Sequence, residues 1–475
     1  MSTHIQKFAE FAHRSASAQL PDEVVEESKR IILDTVGCAL AATDNPAGVA
    51  GVEYARVLGG ERDEASIIGV PMRTSVHGAA FANAELMNAL DFDPVSLPGH
   101  VAPYVVPVAL ALGETHRSSG AMAVNAVAVC HEMSHRLAGA MDRNRDVKDG
   151  RAQTAEVLGY ASTVFGITAT AAMMKEMSSE RIADALGIAG ATSPVNGHRA
   201  WLMHAPSTTI KNSLMPGGVA MTAMTAAWMA ELGHRGDPLL LDDAEFGYPR
   251  FIGTSRWEPS ELTTGLGAQW RFRAGSQFKP YPHCRVPHAL FDALIEVVRD
   301  NGLAPEEIES ITAWGEEWAG QFPTFMADHM DRTFDAQFTF VHGLAIAAHL
   351  VPPGRQWHDP AVVESRSVLE LKDRIVWKNH PGWAEAVSKD PSARPSRVEV
   401  VARGTTFVGE RTHARGSTSA DPATQLTTEE LVTKFRHNAA GVISDHATDA
   451  VVEALLHLEE VDDLRPVMDL LRPTD

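Results

Sequence analysis

Three stretches of this chain leave a helix almost nothing to show to water. Ala121–Met141, Ser162–Met174 and Val219–Leu232 are long, rich in small residues and methionine, and nearly free of charge. A helix without a polar face is buried on several sides, and small residues let neighbouring helices approach closely. The first half of the chain therefore reads as a stack of packed helices. Asp22–Ala42 joins it: Val24, Val25, Ser28, Ile31, Ile32 and Thr35 recur at helical spacing behind Pro21 and Asp22, which suit a helix start. Ala65–Ile68 reads as a short strand, but strands and helices do not alternate as in a doubly wound sheet.

The texture changes after about Arg271. Ile308–Trp314 and Arg397–Ala402 alternate apolar and polar residues, as half-buried strands do, and Phe407–Thr412 reads as another. Helices are expected at Val286–Arg299 and Phe338–Leu350, the second opened by Asp335 as N-cap and ended by Pro352-Pro353-Gly354. From Thr427 the chain is helical again. Thr427 and Glu430 have capping-box spacing, followed by Leu431, Val432 and Phe435. A chain of 475 residues is too long for one compact core. The expectation is a mainly α protein, with a large helical domain formed by residues 1–271 and 413–475 and a smaller α+β domain, residues 272–412, inserted between them.

A net charge of −20 argues against binding nucleic acid or an anionic membrane through a general basic surface. It leaves room for an anionic substrate where Lys and His cluster locally. Three cysteines, Cys38, Cys130 and Cys284, form no disulfide framework and suit a reducing, cytoplasmic setting. The opening MSTHIQKFAEFAHRS lacks the apolar core of a secretory signal, and no segment has the long uncharged run of a membrane span. P-loop, GxGxxG and GxSxG patterns are absent, so nucleotide, dinucleotide and α/β-hydrolase chemistry lack support.

Four motifs could carry chemistry. Asn83–Pro107 sets Asp91 and Asp93 at the end of an apolar helical run, then a loop with Pro94, Pro98 and Gly99, then His100. A carboxylate pair beside an imidazole is the raw material of general acid–base catalysis. Lys279-Pro280-Tyr281-Pro282-His283-Cys284-Arg285, followed by His288, crowds cations and proton carriers on a loop that two prolines stiffen. Such a loop suits a compact polyanion, with Lys as a point charge and Arg as a fork; Cys284 reads as a buried inert thiol. Lys211 follows a polar entry into an Ala/Met helix and reads as a carboxylate donor or as a surface lysine. His131-Glu132-x-x-His135 matches the zincin pattern, with Glu156 an unmarked third ligand, and the alternative is Glu132 pairing with Arg136 at i, i+4. Gln337 and His342 are weaker pocket candidates.

Taken in order, these pieces resemble the MmgE/PrpD family. The matching stretches are Ile32–Ala42, Asn83–Asp93, His100–Glu114, Phe165–Ala172, Ala185–Gly190, Lys211 with its Ala-rich helix, Phe278–Leu294, Asp335–Ala347 and Leu426–Phe435. The resemblance implies a helical domain made from both chain ends with an α+β lid, a homodimer, no metal or organic cofactor, and a small di- or tricarboxylate as substrate. It assigns Asp91, His100, Lys211 and Lys279 to catalysis. Asp93, Tyr281, His283, Cys284, Arg285 and Gln337 are the groups expected around the substrate. It also makes the HExxH match accidental, because Cys130-His131-Glu132 falls where the family often has Gly-Tyr-Glu. The chain departs from the pattern in several places. Pro94 replaces an acid and Val95 a common Thr, the loop to His100 is one residue short, and a family His is missing around Val157. The His that usually follows Lys211 is missing too, and Cys284 stands where the decarboxylase has His. The implied chemistry is a lyase reaction, dehydration by proton removal next to a carboxylate. Epimerisation of a dicarboxylate, decarboxylation and a binding-only relative are the alternatives.

Overall fold

The computed structural model describes residues 2–473 apart from 61, 144, 156, 158, 195–201 and 206–214. Lys211 and Glu156 lie outside the described residues. The fold is mainly α-helical. The charge-poor stretches form helices Gly120–Ala140, Thr163–Met174 and Pro216–Glu231. Side-chain oxygens of Ser75, Ser119, Ser178 and Thr427 cap helix N-termini, and Thr427 with Glu430 completes the expected capping box. Close packing has a visible cause at Gly166: a Cβ there would lie 2.7 Å from the Cys130 sulfur and 2.8 Å from its carbonyl. Only a bare Cα lets these two helices touch.

One hydrophobic core runs through the helices of the first half and continues into Leu426–Leu471. The join is concrete. Helix Thr428–Ala439 packs on helix Asp22–Ala41, with Phe435 lying 3.0 Å from where a Gly37 Cβ would be. A second core, from Tyr281 to Ala402, sits between a four-stranded sheet and helices His288–Asp300 and Phe340–Ala348. The strand order is Thr405–Arg411, Ser396–Ala402, Ile308–Gly315, Ile375–Asn379, antiparallel except for the last pair. A third, aromatic cluster of Trp318, Phe322, Phe325, Phe338, Phe340 and Trp383 also takes in Ala152 and Leu202.

The expected strands are present, but the helix expected from Phe338 starts at Phe340, with Thr339 rather than Asp335 as its cap residue. Asp335 lies in the preceding 3₁₀ turn, Thr333–Gln337, and its carboxylate turns back to accept the amides of Asp331 and Arg332, both at 3.0 Å. Among the described residues no helix is long and apolar enough to cross a membrane.

Candidate active site

Helix Val76–Asn88 ends in a turn that takes Asp91 into the left-handed region, φ 50°, which Asp tolerates better than most residues. Lys279 holds that turn. Its ammonium donates to the Asp91 carbonyl and to Oδ1 of the same residue, both at 2.8 Å. Val95–Ser96 then pairs with Gly99–His100 in a tight hairpin, folding His100 back over Asp93. The imidazole Nδ1 meets Asp93 Oδ2 at 2.6 Å, while Nε2 faces Asp91 Oδ1 at 3.4 Å. Asn88 donates to the other Asp93 oxygen at 2.9 Å. Reciprocal 2.8 Å backbone bonds between Val95 and Gln277 bring the hairpin to the segment that carries Lys279. Asp91, Asp93, His100 and Lys279 are all buried.

This arrangement has a direction. Burial alone would raise the Asp93 carboxyl, but the charge and hydrogen bond of His100, with Lys279 behind, outweigh it and hold Asp93 below the usual carboxylate range. An ionised Asp93 on Nδ1 fixes the ring with Nε2 turned toward Asp91. Asp91, Asp93 and His100 also offer ligand atoms within 4.8 Å of one another, the spacing of a metal site. Lys279 already provides a cation to Asp91, however, and a second positive centre there would meet its repulsion.

The stiff loop after Lys279 divides its side chains between two directions. Tyr281 turns away from Asp91: its hydroxyl donates to Asp292 at 2.9 Å, its ring stacks on Trp357, and burial pushes the phenol well above its ordinary value. Arg285 also turns away, with its three nitrogens engaged by Gln277, His288 and Ser417. Burial, and then the charge of Arg394, lower it to about 9. His283 packs edge-on against Phe291 and is neutral, pushed down to about 3 by burial. Cys284 is held as a thiol, pushed up to about 12 by burial and then by the charge of Asp91. Gln337 reaches the other wall, donating to the Ala89 carbonyl at 2.9 Å, while its backbone carbonyl accepts the Cys284 amide at 3.0 Å. Asp91, Asp93, His100 and Lys279 thus converge, with Cys284 and Gln337 beside them. Tyr281 belongs to the second core, and Arg285 is taken up by Gln277, His288 and Ser417.

Residues 6–260 match the model of the MmgE/PrpD N-terminal domain, and residues 281–458 match that of the MmgE/PrpD C-terminal domain. The chain belongs to the MmgE/PrpD family. It is similar to the cis-aconitate decarboxylase of Homo sapiens, 25% identical over 481 residues that cover 98% of this chain and 94% of that one. The Mus musculus cis-aconitate decarboxylase is 24% identical over 494 residues, covering 98% and 93%. The cis-aconitate decarboxylase-like protein oryM of Aspergillus oryzae (strain ATCC 42149 / RIB 40) is 24% identical over 276 residues, covering 54% and 53%. In this MmgE/PrpD chain, Asp91 and His100 lie within the first matched stretch, and Lys279 lies just before the second.

Two residues near the cluster escaped the sequence reading. Lys434, in helix Thr428–Ala439, donates to the carbonyls of Phe92 at 2.9 Å and Lys279 at 3.0 Å, pairs with Asp34 at 2.8 Å, and sits over the Phe92 ring. It ties both loops of the site to one ammonium. Its sequence context, Thr-Lys-Phe-Arg-His, looks like an ordinary solvated helix face. Tyr160 meets the His100 ring edge-on at 6.2 Å, and a Cβ on Gly99 would run into the Tyr160 ring. Burial raises its hydroxyl above the usual phenol range. Tyr160 stands three residues beyond Val157, where a family His is missing, and that gap was the one available signal.

The HExxH residues lie elsewhere and are bound into local structure, although His131 Nε2 and His135 Nδ1 are buried without a hydrogen-bond partner among the described residues. Glu132 accepts Arg136 Nε at 2.6 Å with one oxygen, and the amides of Arg271 and Phe272 at 2.7 and 3.1 Å with the other. His131 donates to the Val127 carbonyl at 2.9 Å. Burial lowers both His131 and His135 to about 4.

Proposed function

We propose that this protein is a lyase acting on a small di- or tricarboxylate, working by proton transfer at a carbon next to a carboxylate and using its own side chains for the acid–base steps. The observation that carries this reading is the buried convergence of Asp91, His100 and Lys279, with Asp93 behind the imidazole. In a dehydration, one member of the Asp91–His100 pair takes the proton next to the carboxylate. The C–H electron pair becomes the new C=C bond, the C–O bond breaks, and the hydroxide leaves with a proton from the other member. Negative charge building on the carbon and its carboxylate is met by the Lys279 ammonium, and by Lys211 if it shares the site. A site shielded from water makes such charges act strongly. Asp93 is the positioning residue that keeps Nε2 available.

Decarboxylation is the second reading, favoured by the activity for which the human and mouse relatives are named. There the C–CO₂ bond breaks, carbon dioxide leaves, and the same pair returns a proton to the carbanion carbon. Epimerisation of a dicarboxylate uses the same proton removal with return on the opposite face. The reading includes residues 272–412 as a lid that closes over a helical domain built from 1–271 and 413–475, and a homodimer as the working form.

The test is incubation of the purified protein in D₂O with a panel of polycarboxylates that includes cis-aconitate, followed by NMR. A new alkene with loss of water supports dehydration, carbon dioxide release supports decarboxylation, and deuterium exchange without net conversion supports epimerisation. Binding with no exchange and no product rejects the enzyme reading in favour of a ligand-binding relative.

A further inference from the structure

A second charged cluster borders the same region. Glu316, 1% exposed, follows strand Ile308–Gly315 and carries two guanidinium groups: Arg145 Nε on Oε2 at 2.7 Å and Arg394 Nη1 on Oε1. Two cations share this one buried carboxylate, with Asp390 adding negative charge on the Arg145 side, and a guanidinium away from water is costly unless its donors are engaged. The two arginines differ in what remains to them. Arg145 is fully engaged, its other nitrogens donating to the carbonyls of Pro391 at 2.9 Å and Ala393 at 2.7 Å. Arg394 is 8% exposed, and its backbone is anchored by a 2.6 Å bond from its amide to the Thr412 carbonyl. Among the described residues, its Nε and Nη2 have no hydrogen-bond partner, yet neither is among the polar atoms sealed from solvent. Half of a planar fork is therefore held on Glu316 while its Nε–Nη2 edge is left without a partner among the described residues.

Glu316, which holds Arg394, stands two residues before Trp318, a member of the aromatic cluster that Tyr160 and Cys284 border. The Arg394 charge bears on the Tyr160 hydroxyl and the Cys284 thiol, and both of these groups also feel Asp91. Tyr160 and Cys284 each pack against the aromatic cluster that holds Trp318, Phe338 and Phe340, and Tyr160 in turn meets His100. A ligand whose reacting carbon lies by Asp91 and His100, with one carboxylate toward Lys279, thus has Tyr160 and Cys284 along its length and a guanidinium edge beyond them. We propose that Arg394 receives a second carboxylate of the substrate and so restricts the site to small acids with two or more carboxylates, an inference that rests on the reading of the Asp91–His100–Lys279 cluster as a carboxylate site. The fork geometry suits bidentate recognition, and Glu316 with Arg145 orients it in advance.

The experiment measures calorimetric binding of two unreactive probes, propane-1,2,3-tricarboxylate and butyrate, to the wild-type protein and to Arg394→Gln. Glu316 keeps Arg145 in that variant, so no buried carboxylate is left unpaired. The wild type should favour the tricarboxylate by at least about 30-fold, and Arg394→Gln should collapse that preference to about threefold or less, with butyrate binding unchanged. An unchanged preference in a folded Arg394→Gln protein overturns the proposal. So does equal weakening of both probes, which is what a purely structural arginine would give. If Arg394→Gln does not fold, Arg394→Lys retains the cation for Glu316 and should still lower the preference about tenfold; no change there has the same negative meaning. A wild type that binds neither probe removes the carboxylate-site reading itself, a result distinct from selective failure of Arg394.

Discussion

Two buried groups of histidine and carboxylate occupy the helical part of this protein, and they are built to opposite ends. His131, Glu132, His135 and Arg136 come from one helix, and their polar atoms mostly close on local structure: Glu132 ties Arg136 to the amides of Arg271 and Phe272, and Arg136 goes on to the carbonyls of Thr264 and Gln269. Asp91, Asp93, His100 and Lys279 come from a helix end, a hairpin and a distant proline-stiffened loop. There one imidazole nitrogen is anchored and the other faces a carboxylate already paired to an ammonium. Residue types are shared between the two groups. What separates the two is not a spare ring nitrogen, since His131 Nε2 and His135 Nδ1 are also left without a hydrogen bond among the described residues, but what that nitrogen faces: the His131 ring lies against Phe272, whereas His100 Nε2 faces the Asp91 carboxylate.

Substitutions can break or sharpen that contrast. The largest effect is expected at Lys279→Ala, which strips Asp91 of its cation. Turnover on the substrate found by the polycarboxylate panel should fall at least roughly 10²-fold, and urea titration should show a loss of about 3–5 kcal/mol, as for one partner of a buried pair. Wild-type turnover in a folded Lys279→Ala protein would take Lys279 out of the chemistry. Next come His100→Ala and Asp93→Asn, each expected to lower kcat by about 10²-fold in steady-state assays. For Asp93→Asn the KM should hold, since that side chain lies behind the imidazole rather than against substrate.

Glu132→Gln should do the reverse, costing about 2 kcal/mol of stability in the same titration while leaving kcat within about twofold. A folded Glu132→Gln protein with abolished turnover would return the HExxH helix to the list of catalytic elements. The smallest effect is a pH dependence. Folded His131 stays neutral down to about 4, whereas the unfolded chain takes up its proton near the ordinary histidine value, about 6.5. Across that window the unfolded state binds more protons, so stability falls as the pH drops from 6.5 to 4. His131→Gln should flatten the fall by about 1–3 kcal/mol in melts taken at both ends, with the pH–rate profile unmoved.

Legibility in the sequence followed range. The charge-free helices, the alternating strands and the Thr427 capping box are local patterns, and each has its counterpart in the fold. Asp335 failed as a cap for a local reason of another kind, because its carboxylate had nearer amides at Asp331 and Arg332. Strand Ile375–Asn379 escaped notice since it is short and mostly exposed at a sheet edge, so no alternation marks it. Lys434 and Arg394 could not be read from their own neighbourhoods, and Tyr160 only through the family His missing around Val157. Each acquires its meaning from a partner many residues away: Lys279 and Phe92, His100, and Glu316. Tyr281 and Arg285 show the converse, since adjacency to Lys279 in the chain did not make them adjacent to Asp91 in space.

The Lys434 ammonium, resting on the carbonyls of Phe92 and Lys279, has a consequence for biosynthesis. A nascent polypeptide that has left the ribosome only as far as residue 425 already owns Asp91, His100 and Lys279, but not the bolt between their backbones. If these side chains run the proposed reaction, they begin it only once helix Thr428–Ala439 has been made and has docked. Proteolytic removal of that helix should leave a silent remnant.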